Sequence, residues 1–114
     1  MITVKPDDTL LNAHAKMSLY EISQLPVVQD GRVVGIIDEW DILTATESGN
    51  EQTLKDEVRL YMSTNVATVS IEDELSRVIA LLKEGLLVIV IKDGQFFGVI
   101  TKTDYIHYLR RKLS

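Results

Sequence analysis

Thr101 and Asp104 lie three residues apart, where an apolar run of the chain ends and a helical pattern begins. A hydroxyl and a carboxylate at a helix start lie beside backbone N–H groups without intrahelical acceptors, a setting that favours an oxygen-rich ligand. The same spacing is typical of a capping box, in which the two side chains bond only to the helix backbone. The residues alone therefore leave ligand binding and structural capping open. We call residues 101–104 the second corner.

A first corner, residues 38–41, repeats this pattern 63 residues earlier, with Asp38 in place of Thr101 and Asp41 in place of Asp104. Its two carboxylates fit the same capping interpretation. A chain of this length that repeats itself is predicted to form two supersecondary units, each too small to bury its own apolar face. The offset of 63 also relates Asp30 to Asp93, Val27 to Val90 and Gly35 to Gly98, and an offset of 65 relates Val4 to Val69.

The hydrophobic pattern around both corners predicts a β-α-β-β-α order in each half of the chain. The predicted strands are residues 2–4, 26–28 and 33–37, then 66–69, 86–91 and 96–100. The predicted helices are residues 10–20, 39–46, a short one over 53–62, one from a Ser70 cap to Gly85, and 102–113. Thr53 and Asp56 are expected to form the capping box of the short helix, and the acids at 72–74 to lie in the first turn after Ser70.

These elements predict an α/β (α+β) fold of two units, residues 1–47 and 66–114, joined by a linker over residues 48–65 that contains the short helix. Each strand-helix-strand connection implies a right-handed crossover. The two units are expected to pack sheet against sheet, with the helices outside and pseudo-two-fold symmetry. Apolar residues on the two matching helices, Trp40 and Tyr105 among them, fit either internal packing or a homodimer face.

Composition excludes several classes of function. The net charge of the 114 residues is −5, which argues against a nucleic-acid partner. The chain has no cysteine, no apolar run of the roughly 18–20 residues that span a membrane, and no signal-peptide pattern, so a cytoplasmic location is expected. His14 and His107 show no metal-ligand spacing, and no nucleophile motif is present. We therefore predict no metal, no cofactor, no membrane contact and no enzymatic activity.

The doubled order, with a Gly-x-x-Thr-x-x-Asp motif that runs from Gly98 to Asp104, resembles the CBS-domain pair over nearly the whole chain. The two Asp-Gly turns and the Leu-Pro-Val-Val stretch at residues 25–28 add to the resemblance. It implies a regulatory module that binds adenosine derivatives in clefts between the two units. In the motif, the Thr hydroxyl and the Asp carboxylate would contact the ribose.

Within the family, the chain is most similar to the C-terminal regulatory module of cystathionine β-synthase. Residues 23–28 resemble an Asp-Gln-Ala-Pro-Val-Val stretch there, and residues 97–106 resemble its Phe-Gly-Val-Val-Thr-x-x-Asp-x-Leu. The resemblance implies S-adenosylmethionine as ligand, and control of an attached or partner catalytic domain that uses pyridoxal phosphate. The implied ligand-binding residues are Thr101 and Asp104 at the ribose, Val99 and Ile100 near the base, Ser23 and Gln24 at the methionine end, with Pro26 and Thr103 beside them.

Two departures from the family pattern keep alternatives open. Asp38 replaces a Thr or Ser, and its charge beside Asp41 would repel a phosphate, so the first cleft is expected to be empty or to take a phosphate-free ligand. Ser23 replaces an Asp that could pair with the ammonium of methionine. One alternative is AMP or ATP, with Lys102 at a phosphate. The other is a structural dimerisation module whose clefts bind nothing tightly.

Overall fold

A computed structural model describes residues 2–114. The chain divides into two compact units, Met1–Thr64 (unit 1) and Asn65–Ser114 (unit 2). Within the described residues there are four α-helices and five strands, and the strands form one small sheet in each unit. The mixed α+β class expected from the sequence is confirmed. The packing of sheet against sheet stays a prediction.

Unit 1 is a two-stranded antiparallel sheet with two helices. The strands meet at a tight turn in which Asp30 and Gly31 both have positive φ, 51° and 78°. Thr9 caps the first helix because its hydroxyl accepts the Asn12 N–H at 3.0 Å. The elements are α1 (Leu10–Tyr20), β1 (Gln24–Gln29), β2 (Arg32–Asp38) and α2 (Glu39–Ser48), followed by short 3₁₀ helices at Glu51–Lys55 and Val58–Leu60.

Unit 2 is a three-stranded sheet with two helices. Its middle strand pairs in parallel with the first strand and antiparallel with the last. A helix connects the two parallel strands. Asp93 and Gly94 make the same positive-φ turn as in unit 1. The elements are β3 (Val66–Ser70), α3 (Leu75–Lys83), β4 (Leu87–Lys92), β5 (Gln95–Ile100) and α4 (Lys102–Leu113).

The pairing of valines confirms the internal repeat. Val4 pairs in parallel with Val27 in unit 1, and Val69 pairs in parallel with Val90 in unit 2. Each sheet has a register shift directly after the second valine of its pair. The offsets of 63 and 65 in the sequence therefore relate structurally equivalent positions.

The predicted strand over residues 2–4 is wrong as a full strand. Only Val4 pairs, through its N–H to the Pro26 carbonyl at 3.1 Å and its carbonyl to the Val28 N–H at 2.8 Å. Pairing ends there because Lys5 turns the chain: its N–H donates to Asp8 Oδ2 at 2.8 Å.

The predicted helix over residues 53–62 is also wrong, because the segment forms two 3₁₀ helices. Asn50 is the cap, since its Oδ1 accepts the Gln52 N–H at 2.8 Å and its own N–H donates to Thr53 Oγ1 at 3.2 Å. Thr53 is therefore the N3 residue of this capping box, not its N-cap. Asp56 instead accepts the Tyr61 hydroxyl at 2.7 Å.

The helix predicted to start directly after Ser70 begins only at Leu75, five residues after Ser70. Ser70 and Asp73 close a turn of their own, in which Ser70 Oγ accepts the Glu72 N–H and Asp73 Oδ2 accepts the Ser70 N–H. Such local bonds compete with helix formation. The acids at 72–74 consequently precede the helix, and Leu75, its first residue, is 47% exposed.

Each unit has its own apolar core. In unit 1, α1 buries Leu10, Ala13 and Met17 against β1, β2 and α2. In unit 2 the buried cluster is smaller: Val69, Val78, Leu82, Val88 and Val90. None of the helices within residues 2–114 is long and apolar enough to cross a membrane.

Candidate functional site

The second corner is a complete capping box at the junction of β5 and α4. The Thr101 hydroxyl accepts the Asp104 N–H at 3.2 Å and donates to Asp104 Oδ2 at 3.0 Å. The same Oδ2 atom accepts the Thr101 N–H at 2.8 Å. Two of these bonds hold the Asp104 carboxylate over the start of α4 and the third caps the Asp104 N–H, as the capping interpretation predicts.

The bonds of the capping box do not involve every oxygen atom and N–H group of the corner. Its bonds to the Asp104 carboxylate all go to Oδ2, so within residues 2–114 Oδ1 has no protein donor. The backbone N–H groups of Lys102 and Thr103, in the first helical turn, lack intrahelical acceptors. Asp104, Lys102 and Thr103 are all exposed. One carboxylate oxygen and two N–H groups that the capping box leaves unused therefore belong to exposed residues of a single helical turn.

The strand that leads to the second corner offers an apolar approach. Ile100 packs against the buried cluster of unit 2, which fixes the end of the strand. Val99 is half-buried and pairs with Ile89 of β4. A Cβ atom built on Gly98 would meet nothing within 4 Å, so the backbone beside Val99 is open.

The first corner has the same capping box in a more buried setting. Asp38 Oδ1 accepts the Asp41 N–H at 2.8 Å, and Asp41 Oδ2 accepts the Asp38 N–H at 3.0 Å. Both side chains are half-buried. Burial, aided by the neighbouring Asp38 carboxylate and opposed by the bond from the Asp38 backbone, raises the pKa of Asp41 to about 6.

The later segment around Met62 and Ser63 folds back over the strand before the first corner. Ile36 and Ser63 form an antiparallel bridge, with N–H to carbonyl distances of 2.9 and 2.8 Å. A Cβ atom on Gly35 would lie 2.7 Å from the Ser63 carbonyl and 2.9 Å from Met62 Sδ. Gly35 is therefore needed for close approach, and the position equivalent to open Gly98 is closed.

Ser23, Gln24 and Pro26 lie in unit 1, around the start of β1. Pro26 is buried, whereas Ser23 and Gln24 are exposed beside the first corner: Gln24 pairs with Asp38, and the Ser23 carbonyl accepts the Glu39 N–H at 3.3 Å. Ser23 also lines a concave pocket of about 260 Å³. The other lining residues are Met17, Ser18, Glu21, Ile22 and Glu39.

The structure thus brings Val99, Ile100, Thr101, Thr103 and Asp104 together in unit 2, and Ser23, Gln24 and Pro26 together in unit 1. The pocket acids Glu21 and Glu39 were missed from the sequence. Glu39 was assigned only to a helix start, and Glu21 adopts a left-handed conformation at the end of α1, φ 55°, that no sequence signal marks.

The arrangement of titratable residues bears on metal binding. Among residues 2–114, no three His, Asp or Glu side chains are grouped as a metal ion would require. The Asp104 carboxylate of the second corner is engaged in helix capping through Oδ2. The arrangement can therefore bind hydroxyl and amine donors or an anion at the helix start.

Three comparisons with known proteins agree on one family. The model of the CBS domain matches residues 1–48 and again residues 55–111. A CBS domain-containing protein of Dictyostelium discoideum is 30% identical over 128 residues, which cover 100% of this chain and 88% of that protein. The inosine-5'-monophosphate dehydrogenase of Korarchaeum cryptofilum is 32% identical over 107 residues, 91% of this chain but 21% of the dehydrogenase.

The fold has solved counterparts as well. A Methanocaldococcus jannaschii protein, proposed to be an archaeal homolog of g-AMPK, has a TM-score of 0.69 and 26% identity. The alignment covers 98% of this chain and 47% of that chain. Together with the two successive domain matches, these similarities show that the chain belongs to the CBS domain family and is a tandem pair of its domains.

Proposed function

We propose that this CBS-domain pair is a regulatory module without chemistry of its own and that it binds an adenosine derivative at the second corner. The observation that carries the proposal is the Asp104 Oδ1 atom, which has no protein donor within residues 2–114 and belongs to an exposed residue in the same helical turn as Lys102 and Thr103. A carboxylate oxygen of this kind can accept bonds from ribose hydroxyls. CBS-domain pairs generally serve as regulatory ligand-binding modules, which supports the proposal.

S-adenosylmethionine is the first ligand we propose, with Ser23 and Gln24 contributing to the methionine end. Within unit 1, two of the residues that line the pocket of Ser23, Glu21 and Glu39, are acidic. A carboxylate there can pair with the ammonium of methionine and so replace the Asp that the family pattern has at position 23. Glu39→Gln should then weaken S-adenosylmethionine but not AMP.

AMP or ATP is the second candidate, and Lys102 is the observation that favours it. Lys102 is the first residue of α4, beside Thr101, where a helix start and a cation together favour a phosphate. The relative named inosine-5'-monophosphate dehydrogenase also shows that such pairs occur in proteins of purine nucleotide metabolism. Lys102→Ala should weaken AMP and ATP more than S-adenosylmethionine.

A ligand regulates only through different affinities for two arrangements of the module. We propose that binding at the second corner shifts such an equilibrium. Control of a cystathionine β-synthase-type catalytic domain is the finer form of this proposal, and it depends on S-adenosylmethionine being the ligand.

The test is isothermal titration of the chain with S-adenosylmethionine, AMP and ATP. Asp104→Ala should weaken the ligand about 100-fold, since bonds to a charged group contribute about 1.5–3 kcal/mol. Asp73→Ala is the matched control, because Asp73 Oδ2 accepts a backbone N–H at 2.9 Å in the same unit but away from the corner. No saturable heat with any ligand from folded protein would contradict the proposal.

A structural dimerisation module is the alternative function, and the exposed helix α2 favours it. Trp40 is 71% exposed and Leu43 57% exposed on this helix, which is unusual for large apolar side chains of a monomer. We propose a homodimer through the helices that carry Trp40 and Tyr105. Under the purely structural alternative, Asp104→Ala removes about 1 kcal/mol of stability as a lost cap and changes no ligand affinity.

A further inference from the structure

The outer edge of β5 in unit 2 corresponds to a strand edge that unit 1 covers with its own chain. In unit 1, the Ile36 N–H donates to the Ser63 carbonyl at 2.9 Å, and the Ile36 carbonyl accepts the Ser63 N–H at 2.8 Å. The offset of 63 places Val99 at the position of Ile36. Among residues 2–114, no backbone bond joins Val99 to a residue outside its sheet. The described residues therefore leave this edge without a covering segment.

The register of the two sheets determines the direction of the Val99 backbone groups. Ile36 pairs with Pro26 in unit 1, and Val99 pairs with Ile89 at the equivalent place in unit 2. Successive residues of an antiparallel strand direct their N–H and carbonyl groups to opposite sides. Both groups of Val99 therefore point away from β4, as those of Ile36 point away from β1. An extended chain beside β5 can form two hydrogen bonds with Val99.

Gly98 is an independent sign of a close neighbour. Its φ lies outside the left-handed region, and a Cβ atom there would meet nothing within 4 Å, so unit 2 itself does not require a glycine. The bulge of the strand falls at Phe97, which pairs with no residue of β4. A glycine weakens a strand interior and often marks the close approach of another backbone. At the equivalent Gly35, that backbone is the Ser63 carbonyl, 2.7 Å from the Cβ position.

Unit 1 also shows which side chains such a segment carries. The bridging residue, Ser63, is small, and the residue before it, Met62, brings Sδ to 2.9 Å from the Cβ position of Gly35. On the open edge, Phe97 is 59% exposed and adds apolar area to the same strand. The edge of β5 therefore fits an extended segment in which a flexible apolar residue directly precedes a small one.

The pairs of this kind in the chain itself are already engaged. Met-Ser occurs at residues 17–18 and at residues 62–63. Met17 is buried in the core face of α1, and Ser63 is bonded to Ile36. A second copy could supply either pair only by unfolding a helix or by breaking its own bridge. This favours a segment from a different protein.

We propose that the edge of β5 binds an extended segment of a separate protein, which adds as a strand at Val99 and places an apolar side chain over Gly98. Main-chain hydrogen bonds supply affinity in this mode of recognition, and the side chains supply selectivity. The inference goes beyond the adenosyl site and does not depend on which ligand binds at the second corner. It assigns a surface through which the pair contacts another polypeptide.

Hydrogen exchange followed by NMR tests first whether the edge is open. In the free chain, the Val99 amide should exchange about tenfold faster than the Ile36 amide or more, because only Ile36 is bonded to Ser63. Equal protection of the two amides would overturn the proposal, since the edge would then already be covered.

A blocked peptide with the sequence of residues 59–66 is the probe for binding, because it carries the Met-Ser pair as unit 1 uses it. It should shift the Val99 amide resonance saturably and slow its exchange, whereas the Ile36 amide, already bonded, should not change. The peptide with Ser63→Pro has no N–H for the Val99 carbonyl and should bind about tenfold more weakly. No saturable shift of Val99 at millimolar peptide would overturn the proposal.

Variants of the chain show whether the peptide binds at this edge. Gly98→Ala should weaken the peptide about tenfold, because its Cβ would lie where unit 1 shows a backbone carbonyl. Val99→Pro removes the outward N–H at an edge position that tolerates proline, and should weaken the peptide by a similar factor. Thr68→Ala, exposed on β3 at the other edge of the sheet, is the matched control and should leave the affinity unchanged.

The Gly98→Ala variant keeps the test independent of folding, since its Cβ meets nothing in unit 2 and far-UV circular dichroism should match the wild type. Peptide binding that Gly98→Ala leaves unchanged would overturn the proposal. Self-association of the chain that Gly98→Ala abolishes would assign the edge to a second copy, and would overturn the assignment to a separate protein.

Discussion

The two corners have the same capping box and differ in which residues cover the strand before it. Each joins a strand to a helix through a reciprocal capping box, with all bonds between 2.8 and 3.2 Å. At the first corner Asp38 and Asp41 are half-buried, and Met62 and Ser63 cover the preceding strand. At the second corner the carboxylate is exposed and the preceding strand is open. The same spacing therefore supports a closed structural junction in one unit and an accessible one in the other.

Charge separates the corners as clearly as cover does. Residues 38–41 contain three acids and no base, whereas residues 101–104 contain one acid and Lys102. Coulomb repulsion therefore disfavours a phosphate at the first corner more than at the second. Since the first corner is both acidic and covered, we expect a single ligand site in each chain.

The largest effect is expected from making the second corner resemble the first. Thr101→Asp removes the hydroxyl that donates to Asp104 Oδ2 and adds a second carboxylate beside it. The ligand identified by titration should bind about 100-fold more weakly, because bonds to a charged group contribute about 1.5–3 kcal/mol and the new charge disturbs the site.

The reverse substitution is its control. Asp38→Thr recreates the Thr-x-x-Asp pattern in unit 1, yet the ligand stoichiometry should stay at one per chain, because Met62 and Ser63 still cover Gly35. A second site of similar affinity in Asp38→Thr would show that charge alone distinguishes the corners.

The sequence predicted the elements that local chemistry determines. The bounds of α1 and α4 agree with the structure, since Thr9 and Thr101 cap them. The start of α3 was wrong because Ser70 forms a turn with Asp73 that competes with a helix. At the second corner, the capping interpretation of Thr101 and Asp104 agrees with the bonds in the structure.

What separates the corners could not be predicted, because it depends on contacts between distant residues. The bridge from Ile36 to Ser63 crosses 27 positions and leaves no periodic pattern in the segment that forms it. The partial burial of Asp41 follows from the same tertiary packing. Spacing could therefore identify two similar corners, but not that one of them is covered.

A smaller effect, on the free energy of unfolding, tests directly whether Met62 and Ser63 cover Gly35. Gly35→Ala should reduce the free energy of unfolding by about 1–3 kcal/mol, because its Cβ would lie 2.7 Å from the Ser63 carbonyl and the bridge must move. Gly98→Ala is the matched control at the equivalent position, and it should cause no loss, since nothing lies within 4 Å. Urea unfolding of both variants measures the difference. Equal losses would contradict the difference in cover.

The smallest effect is a pH dependence that belongs to the first corner. The pKa of Asp41 is raised to about 6 from 3.8, so its protonation stabilises the folded state. That contribution is complete below about pH 4 and is lost as the pH rises through 6. Asp41→Asn should therefore be more stable than the wild type at pH 7.5, by about 1 kcal/mol once solvent screening of the half-buried group is allowed for.

Urea unfolding at several pH values should show this advantage of Asp41→Asn shrinking as the pH falls from 7.5 to 4. An NMR titration of the Asp41 carboxyl should give a midpoint near 6. Asp38→Asn is the informative control: it removes a neighbouring charge but leaves burial, the largest cause of the shift, so the pKa of Asp41 should fall only part of the way towards 3.8. Full return to 3.8 would mean that the Asp38 charge, and not cover by the rest of unit 1, makes the first corner differ from the second.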